Sequence, residues 1–110
     1  IHASRYLNNK GQPTVNWIYK PKLDLIKDKI VLVIDDILDE GITLNDIKKN
    51  LIEMGAKKVL ITVLFDKKIK KIKPIQADFL GLEVPDAYVY GFGLDFNGIG
   101  RNIPHLYAHK

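Results

Sequence analysis

The stretch VLVIDDILDEGITL, from Val31 to Leu44, decides the fold. Its first residues, with Lys29 and Ile30 before them, form the β-branched run KIVLVID (Lys29 to Asp35). Such a run is typical of a parallel strand buried on both faces. The chain then passes through Asp35, Asp36, Asp39 and Glu40 to Gly41, more negative charge than an ordinary loop needs. Past the glycine the apolar spacing becomes helical: Leu44, Ile47, Leu51 and Met54 share one face. Thr43 stands where an N-cap would, and Gly55 follows as a C-terminal stop, so a helix is expected over Leu44 to Met54. KVLITVLF (Lys58 to Phe65) supplies a second buried strand. Strand, helix and strand of one sense make an α/β unit, with a mainly parallel sheet flanked by helices.

Outward from this unit the pattern weakens. VNWIYK (Val15 to Lys20) is β-prone and follows NNKGQP, which reads as a loop. ADFLGLE (Ala77 to Glu83) and AYVYGFG (Ala87 to Gly93) add candidate strands, separated by the turn-forming Val84-Pro85-Asp86. The chain has 110 residues, 46% of them hydrophobic, which suits one domain and is too short for two. No apolar run approaches the length of a membrane span. Cysteine is absent, excluding disulfides and thiolate metal sites and fitting a reducing compartment, so a cytoplasmic location is expected. A net charge of +4 favours a small anionic partner such as a nucleotide or phosphate. There is no internal repeat, and the nearest approach to low complexity is the basic run DKKIKKIKPI, Asp66 to Ile75.

In open α/β sheets ligands bind at the carboxyl ends of the strands, which is where the acidic cluster falls. Asp39 to Thr43 lead into a helix N-terminus, whose free N–H groups and dipole favour phosphate. Gly41 lets backbone come close. Carboxylates repel phosphate, so Asp35 and Asp36 make sense facing ribose hydroxyls or a divalent cation. A ribose phosphate with magnesium would satisfy all of these groups; the plainer alternative is a solvated, capped loop. A P-loop is excluded, because no glycine-rich segment ends in Gly-Lys-Ser or Gly-Lys-Thr.

VLVIDDILDEGITL resembles the phosphoribosyl diphosphate motif of the phosphoribosyltransferases. DFLGLEVPDAYVYGFGLDFNGIGRNIPHLYA is similar to the purine-binding end of their hypoxanthine-guanine branch, in the same order along the chain. The resemblance implies that Asp35 and Asp36 hold the ribose hydroxyls and associated magnesium. It makes Asp39 the acid/base group near purine N7, and Asp39, Glu40, Gly41, Ile42 and Thr43 the cradle of the 5′-phosphate. Family members often carry threonine and a polar or basic residue where Glu40 and Ile42 stand, so backbone donors must do more here. Lys67 is implied as the reader of a 6-oxo purine, since a lysine donates but cannot accept. Lys68, Lys70, Lys71 and Lys73 read as solvated charge. Tyr88 is implied to stack on the base, which the residue alone would not distinguish from core packing, and Val89 to offer it backbone groups. Asp95 matches a second magnesium ligand and Arg101 a pyrophosphate contact, an acid for metal and a fork for phosphate.

In ASRY, Tyr6 resembles the tyrosine of a mobile loop that closes over the reaction centre and excludes water. Arg5 stands where some members have serine. His105 and His109 are four residues apart, but Pro104 and the nearby chain end favour a surface reading over a metal pair. The resemblance divides residues 1–110, as a single domain, into an active-site loop (1–14), the phosphate-site unit (29–65) and the purine part (66–110). It implies purine salvage: transfer of phosphoribosyl from its diphosphate to N9 of hypoxanthine or guanine, forming IMP or GMP and releasing pyrophosphate. The expected partners are phosphoribosyl diphosphate and a 6-oxo purine, with Mg2+ as cofactor, no membrane, no nucleic acid, and a homodimer or homotetramer. Two other functions fit the acidic motif: a pyrimidine-operon RNA-binding regulator of this fold and a nucleotide-sensing module without catalysis. The family places its first strands and a pyrophosphate loop ahead of the segment matching Ile1. These 110 residues are therefore expected to be a carboxyl-terminal portion, inactive alone.

Overall fold

A computed structural model describes residues 2–7 and 13–109, with side chains from Tyr19 to His109. Strand β1 (His2–Leu7) pairs antiparallel with β2 (Pro13–Tyr19). A short 3-10 turn at Leu23–Leu25 leads to β3 (Ile30–Leu38), helix α1 (Ile42–Glu53) and β4 (Lys58–Lys67). Then come β5 (Phe79–Val84), β6 (Tyr88–Tyr90) and β7 (Tyr107–His109). β3, β4 and β5 form a parallel sheet with β4 in the centre, and β6 pairs antiparallel with β7. The expected α/β unit is present.

β3 and β4 run in register from Ile30 opposite Lys58 to Leu38 opposite Asp66, so both strands end at one level. Each is longer than its apolar run suggests. Asp35 and Asp36 lie within β3, and Lys67 is the last residue of β4. Ladder hydrogen bonding carries both strands past the point where hydrophobicity stops, because pairing satisfies the backbone whatever the side chain.

On one face Val33, Val59, Ile61 and Val63 pack with Leu44, Ile47 and Leu51 of α1, and with Ile26 and Ile75. The helix thus buries the face that its spacing marked. A second cluster, Phe65, Val84, Val89 and Leu94, joins the end of β4 to β6 and the turn after it.

The expectation that β3 is buried on both faces is not met. Ile30, Leu32 and Ile34 are exposed, Ile34 at 75%, as are Leu64 and Phe79. α1 covers one side of the sheet, and among the described residues no helix covers the other. Strand composition records affinity for a covered surface without saying which side is covered.

The helix begins at Ile42 and not at Leu44, and the N-cap position belongs to Gly41, not Thr43. Gly41 has φ +80°, a left-handed conformation that a β-carbon penalises, and this turns the chain directly from strand to helix. Thr43 lies in the first turn. At the other end Gly55 has φ +90°, its N–H donates to Ile52 O and that of Ala56 to Leu51 O, so the expected glycine stop closes the last carbonyls.

The described part of 1–14 has strand form in β1 and the start of β2; residues 1 and 8–12 lie outside the described residues, as does the Tyr6 side chain. β5 is seated by Asp78, whose N–H donates to Ile61 O and whose carboxylate accepts from Ile61 N. It then approaches β4 so closely that a β-carbon added at Gly81 would stand 2.6 Å from Leu64 O. Gly81→Ala should therefore push β5 off β4 and destabilise the protein by ~1–3 kcal/mol, measured by denaturant unfolding. An unchanged midpoint would mean that the strand pair yields freely.

Candidate active site

The loop after β3 and the start of α1 enclose a cleft of about 260 Å³ lined by residues 35–44. It unites seven expected residues: Asp35, Asp36, Asp39, Glu40, Gly41, Ile42 and Thr43. The first turn of α1 lines it, and because the first amides of a helix have no partner within it, that end carries partial positive charge opposite the acidic residues of β3. Gly41 matters sterically as well: an added β-carbon would lie 3.1 Å from Ile75 and 3.3 Å from Leu38.

A neighbouring cleft of about 230 Å³ shares Asp36 and Asp39 with the first and adds Lys67, Tyr88, Val89 and Asp95. Lys67 Nζ donates to Asp39 Oδ2 at 3.1 Å, so an incoming acceptor must compete with that carboxylate for the ammonium. The Tyr88 ring is half exposed and held at its rim, meeting Phe96 edge-on at 5.5 Å, with its hydroxyl donating to Asp95 O. Val89 buries its side chain in the second core, leaving backbone as what it can present. Asp95 engages both carboxylate oxygens, one accepting from Gly98 N at 2.8 Å and the other 3.3 Å from Arg101. Arg101 lines neither cleft and is held by Asp95 and by Gly93 O.

The Asp35 carboxyl is raised above the usual carboxylate range. Although the residue is exposed overall, lost hydration is the largest cause, partly offset by the Asp36 N–H bonded to Asp35 Oδ1, and the Asp36 charge raises it further. Two adjacent carboxylates, which offer oxygen donors only, are of the kind that suits a hard divalent cation. Among the described residues no three His, Cys, Asp or Glu converge as a cage. Asp35 and Asp36 therefore fit an ion that takes its other ligands from water and substrate oxygens, as magnesium commonly does. His109 lies edge-on to Phe96, with ring centroids 5.3 Å apart.

The basic run departs from the solvated reading at one position. Lys68 is exposed and pairs with Glu83, and Lys71 is exposed near Glu40. Lys73, by contrast, is turned inward with its side chain 13% exposed, against Asp66, Leu38 O and Lys67 O. No local pattern reveals this, because its acceptors come from other strands.

A strand carrying paired carboxylates, a glycine turn into a helix, and a second cleft carrying a lysine and an aromatic ring thus lie side by side. The family model for the phosphoribosyl transferase domain matches residues 1–97, and the chain belongs to this family. It is 47% identical to the hypoxanthine-guanine phosphoribosyltransferase of Aquifex aeolicus over 99 residues, 89% of this chain and 54% of that protein. It is 34% identical to the hypoxanthine-guanine-xanthine phosphoribosyltransferase of Plasmodium falciparum over 105 residues, 96% of this chain and 45% of that protein. A crystal structure of a hypoxanthine phosphoribosyltransferase from Staphylococcus aureus superposes with a TM-score of 0.79 at 30% identity, covering 98% of this chain and 60% of that one. The chain spans about half the length of the curated relatives it matches.

The raised Asp35 carboxyl gives a test of the acidic wall. Between the ordinary carboxylate pKa and the raised native one, the folded state holds more protons than the unfolded state, so stability falls as pH rises through that window. Asp35→Asn should raise the thermal midpoint at pH 7 while the gain vanishes below the ordinary carboxylate range. A midpoint lowered at pH 7 would show that the charge supports the fold.

Proposed function

We propose that the complete protein transfers a phosphoribosyl group from phosphoribosyl diphosphate to N9 of a 6-oxo purine, hypoxanthine or guanine, releasing pyrophosphate in purine salvage. The observation that carries this reading is the shared wall of the two clefts, where Asp36 and Asp39 face the phosphate loop on one side and Lys67 and Tyr88 on the other. A ribose lying along that wall would join a phosphate at the α1 N-terminus to a base beside Tyr88.

In this arrangement the backbone donors of Gly41 to Thr43 receive the 5′-phosphate, with Asp39 and Glu40 bounding the loop. Asp35 and Asp36 accept from the ribose hydroxyls. Magnesium, held by Asp35 and Asp36 with Asp95 as a second attachment point, would neutralise the departing pyrophosphate. Arg101, released from Asp95, offers its fork to the same group. Lys67 leaves Asp39 to donate to the 6-oxo oxygen, which frees the carboxylate to exchange a proton at N7. Tyr88 stacks on the ring and Val89 offers backbone groups to its edge. Tyr6 would close the site from the amino-terminal strands. The oligomer and the cytoplasmic setting belong to the same reading.

The family match and the names of the relatives support this function over an RNA-binding regulator or a sensing module. Nucleotide formation by the complete protein, assayed with magnesium, phosphoribosyl diphosphate and each purine, tests it. Asp39→Asn should lower turnover by ~100-fold or more while diphosphate binding survives. Lys67→Met should weaken hypoxanthine use far more than diphosphate affinity, because a donor is lost opposite an oxygen. Equal losses for both ligands would return Lys67 to the surface charge.

A further inference from the structure

Lys73 lies in the connection between β4 and β5, on no strand or helix, yet its ammonium is nearly withdrawn from solvent. It donates to Leu38 O at 2.8 Å, Lys67 O at 2.7 Å and Asp66 Oδ1 at 2.5 Å. An ammonium has three donors, and all three are used. Leu38 and Lys67 are the last residues of β3 and β4. One precedes Asp39; the other carries the amine that faces it. The Lys73 side chain also starts beneath Gly41, since a β-carbon added there would lie 3.6 Å from Lys73 Cβ.

We propose that Lys73 is a positioning residue of the purine site: by tying the ends of β3 and β4 through one nitrogen, it sets the span between Asp39 and Lys67. This rests on the functional reading above only for what that span accomplishes. Past the last ladder contact, Leu38 opposite Asp66, neither strand end has a further partner in this pair. Lys73 supplies one. Asp66, its side chain 22% exposed, balances the charge that this placement brings inside. Misplacing either strand end would move the proton carrier and the base reader relative to each other, a geometric error that catalysis amplifies.

The test uses the complete protein. Lys73→Met alone strands the Asp66 carboxylate and can cost the fold, so the decisive variant is Lys73→Met with Asp66→Leu, which removes both charges together. We expect this double variant to melt close to the parent and bind phosphoribosyl diphosphate unchanged. Its kcat/KM for hypoxanthine should fall about 10- to 100-fold, with its preference for hypoxanthine over adenine reduced in proportion. Lys73→Arg keeps the charge but replaces one three-donor nitrogen by a planar fork, and should show the same loss of preference in a folded protein. Parent-like kcat/KM and preference in either folded variant would overturn the proposal. So would equal losses for both substrates that track a lowered melting point. A second readout is independent of turnover: backbone order parameters at Asp39 and Lys67 should drop from a rigid value of about 0.85 to below about 0.6 in the variants. If the parent does not turn over purines, the functional reading fails, and these order parameters alone decide the positioning role.

Discussion

Every feature of the site depends on the parallel pairing of β3 with β4. Because the two strands run in register and end at one level, the acidic loop after Leu38 and the basic connection after Lys67 leave the sheet side by side. An antiparallel pairing would put them at opposite ends. The parallel sense in turn requires a crossover, and α1 makes it. Its N-terminus then falls beside the strand ends, so one topological constraint places acid, base and helix dipole within a single ligand's length.

The charges gathered there are arranged in pairs: Asp39 with Lys67, Asp66 with Lys73, Glu83 with Lys68, and Glu40 near Lys71. They are not equivalent. The pairs of Lys68 and Lys71 are exposed, and such contacts contribute little to stability because water screens them and flexible side chains must be held. The Lys73 pair is mostly buried, and its value lies in fixing geometry. Asp39 and Lys67 stand between these extremes, with the lysine shielded and the carboxylate open, an ion pair that a ligand can exchange for its own contacts.

The acidic stretch looks costly in isolation, yet three of its four carboxylates have a defined environment. Asp35 bonds its neighbour's N–H, Asp39 meets Lys67, and Glu40 approaches Lys71. The run of lysines that looks like bare surface charge is in part the counter-charge to that loop, supplied from the next strand end. Asp35 retains a penalty, since its carboxyl is raised by lost hydration and by the charge beside it. Carboxyls perturbed in this way gather at functional sites, where they are kept at some expense in stability.

Much of this was legible in the residues alone. Helical spacing identified the face of α1 that is buried, the β-branched runs located β3 and β4, and the motif placed the acidic cluster at the strand ends, because these depend on residues near one another in the chain. Other features were not legible. Whether β3 is covered on one face or two depends on which elements surround the sheet, and the cap fell to Gly41 because a strand-to-helix turn needed left-handed backbone more than a threonine hydroxyl. Lys67 and Asp39 are 28 residues apart, and Lys73 finds a carbonyl 35 residues away. Local sequence determined which segments form strand, helix and acidic loop, since periodicity and backbone preference act over a few residues. Only the tertiary structure decided that Lys73 was drawn inside, because burying its ammonium requires acceptors converging from the ends of two strands, and that convergence exists only once the sheet has formed.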